Sequence, residues 1–527
     1  MSIQRRHVSV LIIGSGLAGC TAALTLADEG HDVLLLSHHA TLGGGNSELA
    51  QGGIIYKADT PDDSHALEKD ILVAGHDYNY RKAVRWLCHQ GPDCVEKMLI
   101  KRAGVVFDRA EDGSYDLTRE GGHSAPRILH RADCTGLALM QALTAQVLIH
   151  PRVTCLYNRS AIDLLTSHHH AKTSQLRYEV HNRCLGAYVF NEESGEPETI
   201  LADWTVLATG GVGQVFLHST NAQHCVGAGV SMAFRAGVDL ANLEFMQFHP
   251  TSLFEEHSTR RALITEAMRG EGARLLDHTG DPFMPRHDPR GDLAPRDIVA
   301  KAMLEEMLHS GSPCLFLDVS RVRQDLATRF PTVCEACRQA GIDISQEPIP
   351  VVPAAHYFCG GVLTDLRGRT SLRGLYAIGE CACTGLHGAN RLASTSLLEA
   401  VVWGVSCGRD LARLAAGPGI PRQLVNAVPD WRHEGNEQHD DPALVAQDWA
   451  NIRNTMWNYV GISRSRTRLR RAFEDMRDLV RHIHDFYKRT RISRRLVDLF
   501  HGSQTAYVIT QAAMRNTCSL GCHYRVD

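Results

Sequence analysis

The sequence predicts an α/β protein with three parts: a Rossmann-like dinucleotide-binding domain, an α+β capping domain inserted into it, and a C-terminal helical bundle. The first ~35 residues follow a strand–turn–helix–strand pattern around a glycine-rich turn, which is typical of the start of a dinucleotide-binding domain. Residues from about 240 to 350 differ in composition and are rich in Arg, Asp and Pro. Residues 442–514 are dominated by Arg, Leu and Ala with little Gly, which favours helices.

Short apolar runs predict the elements of the first domain. Residues 8–13 are apolar apart from Ser9, and residues 32–36 are apolar after Asp32, as expected for strands buried on both faces. The Ala- and Leu-rich residues 17–28 predict a helix between them. Two later buried strands are predicted at 204–208 and 374–378. The predicted boundaries are 1–238 and 352–416 for the discontinuous dinucleotide-binding domain, 239–351 for the capping domain, 417–441 for a linker and 442–527 for the helical domain.

Composition gives no electrostatic reason to expect nucleic acid or a membrane as a partner. Charged residues make up 22% of the chain, the formal net charge is −4, and no apolar run approaches the ~20 residues of a membrane-spanning helix. The sixteen cysteines are scattered, and the single C-x-x-C, from Cys334 to Cys337, lacks a second pair for zinc. We therefore expect reduced thiols, no metal and a cytoplasmic location. Five arginines between 464 and 471 could form an RNA-binding face, but without aromatic partners a solvated helix face is favoured.

A G-x-G-x-x-G motif lies between the first predicted strand and helix. Gly14 permits the tight turn, Gly16 lets a pyrophosphate approach the backbone, and Gly19 lets helix and strand pack closely. The helix N-terminus then stabilises the phosphate charge. The second strand ends in Ser37 instead of the acidic residue that commonly binds the ribose, which argues against NAD and leaves FAD open. The contacts predicted in this motif are Gly14, Ser15, Gly16, Leu17, Ala18 and Gly19, and Ser37 is a further predicted contact.

Further segments have the composition of flavin contacts. Residues 43–47 and 50–53 are small and suit contact with a flat ring, and 208–211 end a strand without bulk. Glu380 would place a carboxylate on a ribityl or ribose hydroxyl. Together with the glycine motif, in this order, these segments predict an FAD site instead of a series of unrelated turns. The predicted contacts are Gly45, Asn46, Ser47, Ala50, Gln51, Gly52, Thr209, Gly210 and Glu380.

Longer motifs span nearly the whole chain. They are A-Q-G-G (50–53), A-T-G-G (208–211), E-F-M-Q-F-H-P-T (244–251), T-E-A-M-R-G-E-G (265–272), A-P-R-D (294–297), A-A-H-Y-F-C-G-G-V (354–362) and G-L-H-G-A-N-R-L-A-S-T-S-L-L-E (385–399). In this order they resemble the flavoprotein family of succinate dehydrogenase and fumarate reductase, which includes the enzymes that oxidise L-aspartate. The resemblance implies FAD as cofactor, Ser396 and Leu397 as further FAD contacts, and a C4 dicarboxylate substrate.

Three features of the resemblance favour the branch that oxidises L-aspartate. Glu120, in T-R-E-G-G-H-S (118–124), would face an α-amino group that succinate lacks. Asn46 occupies the position of the histidine that binds FAD covalently in membrane-complex members, so the resemblance implies non-covalent FAD. The segment M-W-N-Y-V-G-I (456–462), followed by an Arg-rich stretch, is also similar to that branch.

The implied reaction is the oxidation of L-aspartate to iminoaspartate, with O2 (giving H2O2) or fumarate as the electron acceptor. By resemblance this is the first step of NAD synthesis through quinolinate, and a transient hand-over of iminoaspartate to quinolinate synthase is expected. The alternative is a soluble flavoprotein of the fumarate reductase or succinate dehydrogenase type.

The resemblance also assigns residues to the substrate. Arg296 and Arg391 would pair with the two carboxylates, because a guanidinium fork matches a carboxylate bidentately. His249, His356 and Thr265 would add donors to the same carboxylates.

Arg296 has a second implied role as the proton donor in fumarate reduction. An isolated arginine does not titrate near neutral pH, so this role requires a buried relay. Glu266 and Arg269 lie three positions apart on a predicted helix and would form that relay. The alternative for these two residues is an ordinary ion pair on a helix surface.

Three positions depart from the family pattern. Ala228 replaces an aspartate of a Gly-Asp-Gly segment that contributes to FAD binding in the family, which predicts weaker retention of FAD. Glu48 lies where relatives carry an apolar or small residue close to the flavin. Leu520 replaces a usual arginine near the C-terminus. None of the three coincides with a predicted substrate ligand.

Overall fold

The computed structural model describes residues 5–58, 62–169, 177–178, 181–256, 258, 260–323, 325–432, 435 and 440–527. Positions 433–434 and 436–439 of the predicted linker lie outside this set.

The strands, in chain order, are β1 (Arg5–Ile13), β2 (Val33–Leu36), β3 (Ile54–Ile55), β4 (Leu117–Thr118), β5 (Ile128–Leu129), β6 (Val153–Leu156), β7 (Arg159–Thr166), β8 (Cys184–Asn191), β9 (Glu196–Leu207), β10 (Leu240–Ala241), β11 (Met246–Leu253), β12 (Arg274–Leu276), β13 (Leu315–Asp318), β14 (Ile349–Phe358), β15 (Gly361–Leu363), β16 (Leu375–Ala377), β17 (Ala382–Cys383), β18 (Ser463–Arg464) and β19 (Tyr524–Arg525).

The α-helices are α1 (Leu17–Asp28), α2 (Asp63–Ala74), α3 (Arg81–Cys94), α4 (Thr135–Ile149), α5 (Ala228–Arg235), α6 (Glu266–Gly270), α7 (Met284–His287), α8 (Arg296–Ser310), α9 (Leu326–Arg329), α10 (Pro331–Gln339), α11 (Thr395–Ala415), α12 (Arg422–Ala427), α13 (Pro442–Val460), α14 (Arg466–Arg489) and α15 (Arg494–Arg515). A π-helical segment, Val95–Arg102, continues α3.

The central sheet has the strand order β6–β2–β1–β9–β8–β7, and β16 also pairs with β9. The neighbours β6, β2, β1, β9 and β16 run parallel, whereas β8 runs antiparallel to both β7 and β9. The strands predicted from apolar runs correspond to β1, β2, β9 and β16. Because parallel strands end at one edge of the sheet, the loops after β1, β2 and β9 meet there.

Helix α1 begins at the glycine-rich turn and packs against α11. The two helices approach closely because Gly404 and Gly408 lie opposite Thr21 and Thr25. A Cβ at 404 would lie 2.8 Å from Thr21 Cβ, and one at 408 would lie 2.6 Å from Thr25 Cβ, too near for either to be accommodated. This contact holds the start of α11, which carries Ser396 and Leu397, beside the first turn of the fold.

A second sheet, of order β11–β14–β13–β12, contains most of the strands of residues 239–351. Strand β14 crosses the predicted boundary at 352, because its pairing with β11 runs from Val351, opposite Leu253, to Phe358, opposite Met246. Helix α8 packs against β11. The arrangement places His249, on β11, next to His356, on β14, and near the start of α8.

Asp133 joins the loop before α4 to the N-terminus of α10. Its carboxylate accepts hydrogen bonds from Thr332 N at 3.0 Å, Val333 N at 3.3 Å and Thr332 Oγ1 at 2.8 Å. These backbone donors have no partner inside the helix, so the carboxylate caps it from another part of the chain.

We therefore expect Asp133→Ala to destabilise the first turn of α10 by about 1 kcal/mol, the typical value of a lost cap. Hydrogen exchange of the Thr332 and Val333 amides should become about fivefold faster. Asp133→Asn is the matched control, because asparagine also caps helices well. Unchanged exchange in Asp133→Ala would show that the cap is not needed.

The C-terminal helices α13, α14 and α15 form a hydrophobic core that includes Met456, Leu469 and Ile509. Arg466, Arg470 and Arg471 are exposed, as the favoured interpretation of the Arg-rich stretch predicts. Arg464 departs from it: the residue is fully buried and donates to the carbonyl of Glu244 at 2.8 Å.

The predicted linker contains the short helix α12, whose Leu424 is buried in an apolar cluster with residues of β7 and β8. Across the part of the chain that the structure describes, no helix combines the length and apolar character needed to cross a membrane.

Candidate active site

One cavity begins at the glycine-rich turn after β1 and ends between β11, β14 and α8. Its volume is about 1760 Å³ with the open mouth included. Nearly all predicted site residues line it. They are Gly14, Ser15, Gly16, Leu17, Ala18, Gly45, Asn46, Ser47, Ala50, Gln51, Gly52, Glu120, Thr209, Gly210, His249, Thr265, Glu266, Arg296, His356, Glu380, Arg391, Ser396 and Leu397.

Three predicted site residues do not line this cavity. Ser37 is fully buried, and its hydroxyl donates to Thr41 O at 2.6 Å and accepts from Ser15 Oγ at 3.0 Å. Gly19 packs α1 against the turn, where any side chain would overlap the carbonyl of Gly14. Arg269 lies behind the cavity wall. Ser37 therefore stabilises the loop after β2, Gly19 allows α1 to pack on the glycine turn, and Arg269 interacts electrostatically with Glu266, which lines the cavity.

The turn after β1 fits a dinucleotide phosphate. Gly14 has φ +117°, and a side chain there would overlap Ala208, so the chain can turn sharply only with glycine. Gly16 is the N-cap of helix α1 and provides no side-chain cap, and the first turn of the helix contains no acidic residue. Its N-terminus is therefore left for an anion, and Ser47 Oγ lies beside it as the acceptor of Leu17 N at 3.2 Å.

The middle of the cavity is held by a fixed group of polar side chains. Asn46 Nδ2 donates to Glu380 Oε2 at 2.9 Å, and Asn46 Oδ1 accepts from Ala222 N at 2.9 Å. Glu380 also accepts from Phe358 N at 3.1 Å. Burial raises the pKa of the Glu380 carboxyl to about 7. These residues fit the flavin end of FAD, because the wall between them and the glycine turn is built of small residues.

The far end of the cavity is lined by two arginines. Arg296 Nε donates to Glu266 Oε2 at 2.6 Å, and Arg296 Nη1 donates to Gln247 Oε1 at 3.4 Å. Arg391 is 5% exposed, and in the described residues its guanidinium bonds only to Ser396 Oγ and Leu392 O. Its Nε has no partner there, and burial, followed by Arg296, lowers its pKa. Burying a cation without a carboxylate partner costs free energy, so this end of the cavity is suited to binding an anion.

Two histidines line the same end. The His249 and His356 rings lie 5.1 Å apart between centroids, and Thr220 Oγ1 lies 2.9 Å from His356 Nδ1. Burial is the main cause that lowers the pKa of both imidazoles well below 6.5, with Arg296 next for His249 and His249 next for His356. Both rings are therefore neutral near pH 7. Thr265 lines the cavity, and its Oγ1 caps α6 by accepting from Ala267 N at 3.4 Å.

Glu120 reaches the cavity from the loop after β4. Ser394 Oγ donates to Glu120 Oε2 at 2.6 Å and also accepts from Gly53 N at 3.3 Å. Ser394 itself has φ +58°, a left-handed conformation that is uncommon outside glycine. The carboxylate is thus fixed by segments that are far apart in sequence, next to Gly52 and in the same cavity as Arg391.

Glu266 and Arg269 do not form an exposed helix-surface pair. Arg269 is 2% exposed and donates from Nη1 to Asp292 O at 2.5 Å, while its Nε and Nη2 have no partner in the described residues. Glu266 is paired with Arg296 instead. Burial acts to raise the pKa of Glu266, but the two arginines outweigh it and lower that pKa overall, so the carboxylate is ionised.

The sequence motifs missed several wall residues. Thr220 and Asn221 hold His356, and the Arg391 guanidinium lies 4.8 Å from the centroid of the Tyr357 ring. Tyr357 and Ser394 lie inside the motifs at 354–362 and 385–399, so membership of these motifs could have marked both as site residues. Other missed residues, with no motif to mark them, are His38, His39, Ser160, His224, Asp498 and His501.

The three departures from the family pattern fall in different places. Ala228 lines the cavity. Glu48 is not on its wall, because its carboxylate turns back to accept from Gly44 N at 2.5 Å. Leu520 packs against a small apolar cluster that contains Tyr357 and Cys359. Only Ala228 therefore bears on the contents of the cavity.

Comparison with known proteins agrees with this site. A family model described as an FAD binding domain matches residues 9–397, so the chain is an FAD-binding flavoprotein. It is 44% identical to an L-aspartate oxidase of Pseudomonas aeruginosa, over 100% of this chain and 96% of that protein, and 42% identical to L-aspartate oxidase 1 of Ralstonia nicotianae, over 99% and 95%. The chain belongs to the L-aspartate oxidase family.

Solved structures confirm the predicted fold class. A variant of the quinol fumarate reductase of E. coli is 28% identical, with a TM-score of 0.87 over 100% of this chain and 92% of that one.

Proposed function

We propose that the protein oxidises L-aspartate to iminoaspartate with non-covalently bound FAD and passes the electrons to O2, giving H2O2, or to fumarate. The observation that most directly supports this proposal is the buried guanidinium of Arg391. It has no carboxylate partner in the described residues and shares a cavity with Arg296 and Glu120. Two guanidiniums match the two carboxylates of aspartate, and Glu120 matches its ammonium group. Succinate offers nothing to Glu120, so the site favours an amino acid.

The chain's own residues bind and orient the substrate in this proposal. Arg296 and Arg391 hold the two carboxylates, and Glu120, fixed by Ser394, holds the ammonium group. Three contacts fix the direction of the Cα–H bond, and such orientation can lower a barrier by about 7–11 kcal/mol at best. When bound, FAD supplies the acceptor for the hydride that leaves Cα.

Fumarate reduction requires a proton as well as a hydride. We assign the proton to Arg296, because its guanidinium lines the cavity and its Nε is bonded to the ionised Glu266. Once Arg296 has given up this proton, the Glu266 carboxylate would take up a proton that originates in solvent and pass it to Arg296, and the charge of Arg269 would favour that transfer because it stabilises ionised Glu266. One hydride and one proton added to fumarate give succinate, so the atoms balance.

Asn46 supports non-covalent binding, because a carboxamide cannot form the histidyl bond of membrane-complex relatives and both its polar atoms are already hydrogen-bonded. Iminoaspartate hydrolyses in water, which favours a transient hand-over to quinolinate synthase in the synthesis of NAD. We propose the cytoplasm as the compartment, since all sixteen cysteines are free and reducing conditions keep them so.

Anaerobic mixing of the protein with L-aspartate tests the proposal. The flavin absorbance should bleach with aspartate much faster than with succinate at equal concentration. Faster bleaching by succinate would assign the protein to the fumarate reductase or succinate dehydrogenase type instead.

Glu120→Gln tests the assigned selectivity. We expect kcat/KM for aspartate oxidation to fall roughly 10- to 150-fold, the value of a hydrogen bond to a charged group, because the ammonium loses its counter-charge. Fumarate reduction should change by less than about threefold, since fumarate has no ammonium group. Glu111→Gln, an exposed residue of the same region, is the control. Equal loss of both activities would remove Glu120 from this role.

A further inference from the structure

The end of the cavity near β2 lacks the usual ligand for a ribose. In dinucleotide-binding folds an acidic residue at the end of the second strand commonly binds the ribose hydroxyls. Here that strand is followed by Ser37, whose hydroxyl donates to Thr41 O and accepts from Ser15 Oγ and from His39 N at 3.3 Å. A hydroxyl has one donor and two acceptor positions, so Ser37 has none left for a ligand.

The other position that could supply a carboxylate also lacks one. Ala228, the first residue of α5, lines the same cavity and offers only a methyl group. The cavity therefore has no acidic group on the elements that would normally provide it near the adenosine half of the cofactor.

Asp498, on α15, reaches this end of the cavity from the C-terminal helices. The contacts that hold α15 against α5 include Thr505 Oγ1, which donates to Gly227 O at 3.2 Å, and His501 Nδ1, which lies 3.2 Å from Ser231 Oγ. Asp498 and His501, three positions apart on α15, lie on one face of that helix and both line the cavity. The Asp498 side chain is 23% exposed.

The Asp498 carboxylate has no hydrogen-bond donor among the described residues. Its nearest cation is Arg494 Nε at 3.9 Å, and Arg494 is already bonded to Glu192 Oε2 at 3.0 Å and to His38 Nε2 at 2.5 Å. Burial raises the pKa of the Asp498 carboxyl to about 7. Burying such a carboxylate costs free energy unless hydrogen-bond donors satisfy it, and two neighbouring ribose hydroxyls are suitable donors.

The position of Asp498 selects the ribose over other parts of FAD. The contact between Arg494 and His38 ties the start of α15 to the residue that follows Ser37, and Asp498 lies one helical turn further along α15. The carboxylate is therefore held at the C-terminal end of β2, where the fold places the ribose of the adenosine half. The cationic end of the cavity, with Arg296 and Arg391, lies beyond the flavin position.

We propose that Asp498 binds the adenosine ribose of FAD, supplying from the C-terminal helices the carboxylate that positions 37 and 228 do not provide. The C-terminal helices are then part of the cofactor site and not only a structural support. The inference depends on FAD occupying the cavity and is independent of which dicarboxylate is oxidised.

The experiment measures release of FAD from the purified holoenzyme on dilution, followed by the increase in flavin fluorescence. We expect Asp498→Ala to raise the Kd of FAD roughly 10- to 150-fold and the closely isosteric Asp498→Asn to raise it in the same direction. Asp485→Asn, an exposed aspartate on the neighbouring helix α14, should leave the Kd unchanged. A Kd within twofold of the parent for Asp498→Ala would overturn the proposal.

Two further arms separate ribose binding from a structural effect. FMN lacks the adenosine half, so its Kd should be the same in the parent protein and Asp498→Asn; a proportional rise in the Kd of FMN would overturn the proposal. With saturating FAD, the KM for aspartate should be unchanged, and a changed KM with unchanged FAD affinity would contradict the assignment.

Discussion

Arg296→Lys is expected to lower kcat for fumarate reduction by roughly 10²- to 10⁴-fold, the usual contribution of a positioned proton donor. Lysine keeps the charge but is a point cation on a flexible stem, so it cannot hold both Glu266 and the ligand in one planar geometry. In the structure Arg296 Nε bonds to Glu266 at 2.6 Å while Nη1 points towards Gln247. Aspartate oxidation should fall less, because in that direction Arg296 only holds a carboxylate.

Steady-state rates in both directions, together with the pH profile of fumarate reduction, measure this effect. Arg290→Lys is the matched control, since Arg290 lies in the same segment, is 53% exposed and pairs with Asp288. Retention of fumarate reduction within tenfold in Arg296→Lys would assign the proton to another group. Glu266→Gln should reproduce the selective loss, because a carboxamide cannot take up a proton and pass it to Arg296.

The sequence could predict the glycine turn, the strands on either side of it and most of the cavity wall, because each depends on local pattern or on motifs. Gly14 is required by its φ of +117°, and Gly19 is required because a side chain there would overlap the carbonyl of Gly14. The mainly apolar segments 8–13 and 32–36 correspond to strands β1 and β2. The motifs also identified Arg296 and Arg391, which lie 95 positions apart and share one cavity.

Other features depend on contacts between distant segments, which a single sequence does not reveal. The Ser37 hydroxyl donates to Thr41 O because of the path of the loop after β2, and the residue types of that loop do not predict its path. Arg464 is buried against Glu244, although its neighbours in the Arg-rich stretch are exposed. Asp498 lies in a helical segment with no motif, so only the packing of α15 on α5 places it at the cavity.

Arg391→Met is expected to separate activity from stability. We expect kcat/KM for aspartate to fall roughly 30- to 5,000-fold, the range for removing one partner of a buried charge pair, about 2–5 kcal/mol. Without ligand, however, Arg391 is a buried cation whose Nε has no partner in the described residues, and burial lowers its pKa. Replacing it by an apolar side chain of similar length removes that desolvation cost, so the thermal midpoint of the ligand-free protein should rise.

Activity falls while the thermal midpoint rises only if Arg391 serves ligand binding and does not stabilise the fold. Arg413→Met, an exposed arginine on α11, is the control and should change neither quantity. The decisive comparison is the thermal midpoint with and without a dicarboxylate. The parent protein should gain stability from the ligand by mass action, and Arg391→Met should lose most of that gain. A variant that is both inactive and less stable without ligand would show that Arg391 supports the fold, and the binding role would then pass to Arg296 alone.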